Sequence, residues 1–185
     1  MVFHVWFVLL LWLSLHPVHA ETLAAPDVML TPAQVVAAAP FTLSPPSLRY
    51  DSSGTLHVAW FEKSDQQGSV KMRQIAGESR QLGSAVQVNP ATLGPGALHQ
   101  APGLTTQGDG AVVLSWSTPN RTPDAMFASD LRVGASGDGG RTFSAPVQVN
   151  DDGLPISHTF EDLLRGPEND LYVMWLDGRG KDRSG

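Results

Sequence analysis

The sequence has no cysteine, and its first twenty residues, MVFHVWFVLLLWLSLHPVHA, contain no Asp, Glu, Lys or Arg. The first absence excludes disulfides, so the fold must hold by packing. The second leaves an apolar run from Val5 to Leu15, a breaker at Pro17, and the small residues Val18 and Ala20 just before Glu21. That is the layout of a secretory leader over residues 1–20, without the usual basic start. The run is short for the roughly 20 residues of a membrane span, so no stable span is expected once the leader is removed. A stripe of Lys or Arg is also missing, and the 185 residues carry a net charge of −6. This argues against nucleic acid and anionic membrane as partners and leaves sugars, peptides, small molecules and proteins. Helical periodicity is scarce too. Only TPAQVVAAA (31–39) could sustain it, and the following Pro40 and FTLS favour a strand there.

What is present is a repeat. Three phrases end in tryptophan: PSLRYDSSGTLHVAW (46–60), PGLTTQGDGAVVLSW (102–116) and EDLLRGPENDLYVMW (161–175). Counted back from the tryptophan, Leu48, Leu104 and Leu163 coincide, as do Val58, Leu114 and Val173. The turn position holds Gly54, Gly110 and Asn169, residue types that tolerate positive φ. Apolar residues alternate on both sides, so each phrase reads as strand, tight turn, strand. A second match, SAVQVNP (84–90) with APVQVND (145–151), lies at an offset of 61 residues. In the second repeat, strands are expected near 102–106, 111–117, 128–135 and 146–150. Four antiparallel strands per unit, with tryptophans 56 and 59 residues apart, suggest propeller blades. The expected fold class is therefore all-β: a β-propeller of four-stranded blades, with units near 43–97, 98–156 and 157–185. Residues 21–42 are expected to form a segment that supplies a ring-closing strand.

Between the third and fourth strands of the second unit stands SGDGGRTF (136–143). The glycines permit a tight path, and Asp138 with the hydroxyls of Ser136 and Thr142 can bond the amides of the turn. At the 61-residue offset the first unit carries a worn copy, IAGESRQL (75–82), without the serine, aspartate and threonine. The octet resembles the Asp-box, or bacterial neuraminidase repeat, of sialidases and related β-propellers, and with the repeat this resemblance covers residues 43–185. It implies that Ser136, Asp138, Gly140, Thr142 and Phe143 are structural, with Phe143 tucked between sheets. With the leader over residues 1–20, the expectation is an exported protein, periplasmic or extracellular and bacterial, and no cofactor is expected.

Connections in a blade alternate between two faces, which puts the octet on the face away from the loops that usually build a pocket. The other face carries the ligand-binding candidates His99, His158, Glu161, Asp177 and Arg179. The two histidines each stand 17 residues before their tryptophan. The simpler reading is that the histidines cap strands and that Asp177 and Arg179 form a surface pair. A metal site from His99, His158 and Glu161 is chemically conceivable, but none is expected. Asn150-Asp151-Asp152-Gly153 reads as an inter-blade turn, and Asn120-Arg121-Thr122 forms a glycosylation sequon.

Sialidases grip a substrate carboxylate with three arginines, the first within an Arg-Ile-Pro phrase. Here Ser44, Gln100 and Thr159 stand at the corresponding places. Tyr50 and Tyr172 read as packing residues, and no catalytic residue is identified. Two and a half units do not close a ring, so the sequence is expected to be the N-terminal part of a longer protein. The reading is a glycan- or protein-binding propeller. The alternative is an exo-sialidase-type hydrolase whose machinery lies mostly beyond residue 185; a purely structural module is the third.

Overall fold

The computed structural model describes residues 33–37, 41–64, 67–96, 98–108, 110–168 and 170–179. The leader, most of the expected ring-closing segment and Asn169 lie outside the described residues. All that follows concerns the compact unit that begins at Val35.

The described chain is almost entirely antiparallel sheet. In the first blade, β1 (Thr42–Leu43) and β2 (Ser47–Tyr50) both pair with β3 (Leu56–Ser64), which pairs with β4 (Gln67–Ile75), followed by β5 (Val86–Gln87). Pro45 and Pro46 cannot donate to a ladder, so the innermost strand is built in two pieces. Ser44 spans the break: its N–H donates to the Phe61 carbonyl at 3.0 Å, and its hydroxyl oxygen accepts the Phe61 N–H at 2.9 Å. The second blade runs β6 (Gly103–Thr106), β7 (Val112–Pro119), β8 (Ser129–Ser136) and β9 (Val147–Gln148), in that order across the sheet. A third sheet holds β10 (His158–Arg165) and β11 (Leu171–Asp177). This is a β-propeller, described as two four-stranded blades and the first two strands of a third. The expected strands of the second unit fall within a few residues of those found. Of the expected strand over 31–39 only residues 33–37 are described, and they join no ladder.

The fourth strands are only two residues long because a side chain takes over the next ladder bond. Asn89 Oδ1 accepts the Val70 N–H at 2.6 Å, and Asn150 Oδ1 accepts the Leu131 N–H at 2.9 Å. Both asparagines are buried, which explains why QVN recurs.

The main core lies between blades one and two. Ala59, Phe61, Val70 and Met72 face Leu104, Val112, Leu114 and Trp116, with Phe143 packed against them. The repeat-equivalent leucines each face the preceding blade. Leu104 and Leu163 are buried and Leu48 is exposed, because no described sheet precedes the first. On the far side of the third sheet Leu164, Tyr172, Met174 and Leu176 are 54–74% exposed. Tyr50 and Tyr172, expected to pack, are exposed among the described residues, and the Tyr172 ring lies over Gly166, just past the neighbouring strand.

Candidate functional site

On one face SGDGGRTF is a turn that bonds to itself. The Ser136 hydroxyl donates to Asp138 Oδ1 at 2.7 Å, and its oxygen accepts the Gly140 N–H at 2.8 Å. Asp138 also accepts the Arg141 and Thr142 amides at 3.0 and 2.9 Å, and the Thr142 hydroxyl at 2.6 Å. These bonds, the Thr142 hydroxyl first, hold the Asp138 carboxyl well below the usual carboxylate range. Gly139 and Gly140 have φ of 75° and 86°. The positive φ demands glycine at 140, and a Cβ there would also have to displace the Met72 methyl. With its acceptor lone pairs taken up internally, the octet has little left to offer a ligand.

The same face holds a buried pair that the sequence reading did not single out. His57 Nε2 donates to Asp51 Oδ2 at 2.9 Å, and Asp51 also accepts from Ser53 and Thr55. Burial alone would raise the Asp51 carboxyl, but these bonds outweigh it and hold it at about 2.

The opposite face carries the five candidates, in two groups. His158 is fully buried at the start of β10. Its Nδ1–H donates to the Ser129 carbonyl at 2.7 Å, and Nε2 lies 3.1 Å from Asp152 Oδ2 and 3.9 Å from Asp177 Oδ2. Its backbone N–H donates to the Ser129 hydroxyl oxygen at 3.0 Å. His158 thus fastens the third blade to the second. Arg179 completes the group: Nη2 is 2.7 Å from Asp177 Oδ2, and Nε is 3.7 Å from Asp152 Oδ2. The guanidinium holds Asp177 at about 2. Burial would raise Asp152, but bonds from Leu154, His158 and Asn150 leave it below its ordinary value. Donor atoms of Asp152, His158 and Asp177 lie within 4.8 Å of one another, a set able to ligate a cation, although the Arg179 guanidinium already supplies positive charge beside it. A shared signal would have found both histidine pairs: each histidine follows its aspartate by six residues.

His99 lines a separate cavity of about 190 Å³ between blades two and three, reached also by Phe61 of the first blade; Glu161 lies beside it, against the lining residue Ser117, and is not part of the lining. Arg121, Phe127, Thr159 and Phe160 are among the other lining residues. The His99 and Phe160 rings face each other at 55° with centroids 6.3 Å apart, and Phe127 is 86% exposed at the rim. A metal trio of His99, His158 and Glu161 does not form, because His158 turns into the blade interface while His99 stays in solvent.

A bulge accounts for the different fates of the two histidines. The β10–β11 register shifts between Thr159 and Asp162, so Phe160 and Glu161 together oppose one residue of β11. Phe160 takes φ of 58°, a costly conformation for a bulky side chain. The extra residue displaces His158 relative to His99 and turns the Phe160 ring outward. Glu161 is half-buried, and Ser117 Oγ lies 3.1 Å from its Oε2. Burial pushes its carboxyl up. Arg121 forms no hydrogen bond or ion pair among the described residues, whereas the sequon residue Asn120 donates to Asp130 at 3.2 Å.

The sequence matches no protein-family model and no curated protein. Among solved structures, a Hadza microbial sialidase matches with a TM-score of 0.52 and 14% identity over 74% of this chain and 33% of its own. An endo-arabinase from Bacteroides thetaiotaomicron matches with 0.51 and 14% over 77% and 54%. A protein of unknown function from Dyadobacter fermentans matches with 0.50 and 12% over 76% and 52%. The chain spans between a third and just over half of these structures. The likeness is one of fold, and at that level it is sialidase-like.

Proposed function

We propose that this chain is a glycan-recognising propeller module that binds through the cavity between blades two and three. One observation carries the reading: an aromatic and histidine rim, with the hydroxyls of Ser117, Ser157 and Thr159 in the same lining, on the face opposite the octet. Exposed rings stack on the apolar face of a sugar, while a few placed polar groups fix its orientation. The fold likeness to a sialidase and an endo-arabinase supports a carbohydrate ligand as analogy. Export behind the 1–20 leader, to a bacterial periplasm or the exterior, belongs to the same reading. Among the described residues no helix is long and apolar enough to cross a membrane.

The test is a glycan array probed with the exported protein, alongside Phe160→Ala and Phe127→Ala. Binding reduced tenfold or more in both variants supports the module; binding that ignores both rings removes the cavity from consideration. A fluorogenic sialoside and an arabinoside run in parallel address hydrolysis. The bulged, half-buried Glu161 favours that second reading, and turnover lost in Glu161→Gln would establish it.

A further inference from the structure

The two aspartate–histidine pairs share a spacing but not a proton count. His57 gives Nε2 to Asp51, and its Nδ1 is buried with no partner among the described residues. One proton on Nε2 therefore satisfies it as a neutral ring. His158 faces acceptors on both sides. Its Nδ1 meets the Ser129 carbonyl at 2.7 Å, while Nε2 meets Asp152 Oδ2 at 3.1 Å and Asp177 Oδ2 at 3.9 Å. A carbonyl can only accept, so the neutral ring keeps its proton on Nδ1 and turns the Nε2 lone pair onto two carboxylate oxygens. Something positive belongs between them. A second ring proton would reach Asp152 alone, because 3.9 Å is beyond a hydrogen bond. The approach of Asp177 asks for a larger cation.

We propose that Asp152, His158 and Asp177 hold a divalent transition-metal ion, Zn²⁺ by its donor set, which pins the third blade to the second. The inference is independent of the glycan reading. One imidazole nitrogen and two carboxylate oxygens form a set that Zn²⁺ accepts. Two ligands about 2.1 Å from a tetrahedral ion stand about 3.4 Å apart. The distances of 3.1 and 3.9 Å from Nε2 to the two carboxylates bracket that separation. A ligating histidine normally gives its other ring N–H to a carbonyl or carboxylate, which fixes the tautomer, and Ser129 plays that part here. Charge points the same way. Asp151, Asp152 and Asp177 bring three negative charges and Arg179 one positive. A divalent ion cancels that excess, whereas a proton on His158 only halves it.

Each ligand is placed by a different element. His158 and Asp177 are direct partners across the β10–β11 ladder. Asp152 comes from the loop after β9, where its Oδ1 accepts the Leu154 N–H at 3.3 Å and Oδ2 is left to face the ring. The His158 side chain is fully buried and that of Asp152 nearly so, while Asp177 stands nearer solvent and gives the ion its way in. Arg179 does not fill the position. Among the described residues its guanidinium meets carboxylates only, and it is about half exposed. Its Nε, 3.0 Å from Asp177 Oδ1, can stay there while Oδ2 turns to the ion.

The test uses the full chain, stripped of metal by a chelator and returned to metal-free buffer at neutral pH. Zinc chloride is titrated in by calorimetry, and thermal unfolding is followed with and without it. One ion per chain is expected, with a raised unfolding midpoint, since the ion binds the docked blades and not the unfolded chain. Asp177→Asn, which keeps the shape of the side chain, should weaken binding at least tenfold and remove the rise. Arg179→Ala should tighten binding at least threefold, because a like charge beside the ion is gone. Asp51→Asn alters the other pair and should leave the affinity and the rise unchanged. No uptake by the wild type in the micromolar range overturns the site, as does uptake indifferent to Asp177→Asn or weakened by Arg179→Ala. Zinc that binds without raising the midpoint overturns the pin. If zinc is refused and nitrogen NMR finds both nitrogens of His158 protonated, an imidazolium takes the place assigned to the ion.

Discussion

Blades one and two close their hairpins on the octet face in opposite ways. In the first blade the turn between the first two strands is held by a carboxylate, Asp51, which takes bonds from Ser53, Thr55 and His57. The turn between its last two strands, the worn copy, closes mainly through backbone, Arg80 N–H to Ala76 at 2.8 Å and Ala76 N–H to Gln81 at 3.1 Å, with no carboxylate in it. In the second blade the roles are exchanged. Gln107 closes the early turn by backbone, accepting from Gly110 and donating to Ala111, while Asp138 holds the late one. Each blade thus spends one aspartate. Both aspartates line the same groove between the blades, with Gln74 of the first blade reaching the Gly139 carbonyl of the second. The groove holds one carboxylate-bonded turn from each blade, and the backbone-closed 107–110 turn meets the first blade there as well, where the Ser52 hydroxyl donates to the Gly108 carbonyl at 3.0 Å. The worn copy is a turn relieved of a duty.

Four changes break or sharpen that contrast. The most damaging is Gly140→Val, which drives a branched side chain into Met72 at a φ of 86°. It should cost about 3 kcal/mol or more in chemical denaturation. Ser136→Ala follows: it removes the donor to Asp138 and the acceptor of the buried Gly140 amide, for a loss of about 2 kcal/mol. Third is acid. Asp51 is held at about 2 when folded, against about 3.9 unfolded. A depressed carboxyl contributes stability that is complete above the unfolded value, so this share should be lost as pH falls from about 4 toward 2. Asp51→Asn should flatten that part of a stability–pH curve; an unchanged curve would deny the clamp its role. Smallest is Ser79→Ala in the worn copy. Its hydroxyl oxygen accepts only a 3.3 Å bond from Gln81, and the change should stay within about 0.5 kcal/mol in the same denaturation series. A loss as large as that of Ser136→Ala would erase the distinction between the two turns.

The fold was legible because sheets announce themselves by alternation and glycine. Leu104, Val112 and Leu114 kept the period of two, and Gly54 and Gly110 take φ of 80° and 84° as their turns require. The asparagines of QVN looked like loop residues, since nothing local tells a ladder-extending side chain from a solvated one. The site was legible only by face. Counting placed His99 and His158 at matching positions, but counting assumes an unbroken register, and the bulge at Phe160–Glu161 leaves no mark in the sequence. Phe127 and Arg121 were missed for a similar reason: they stand in the loop between β7 and β8, where no period exists to be read. Asp152 was passed over as part of a turn, although its spacing to His158 repeats that of Asp51 to His57.

The uncovered side of the third sheet bears on how the chain is made. Each sheet here packs on its sequence neighbours, so ordering can advance blade by blade as residues leave the ribosome. The newest sheet at any moment shows an uncovered side, and on the third sheet that side carries Leu164, Tyr172, Met174 and Leu176, an apolar face of the kind that draws in whatever chain can cover it.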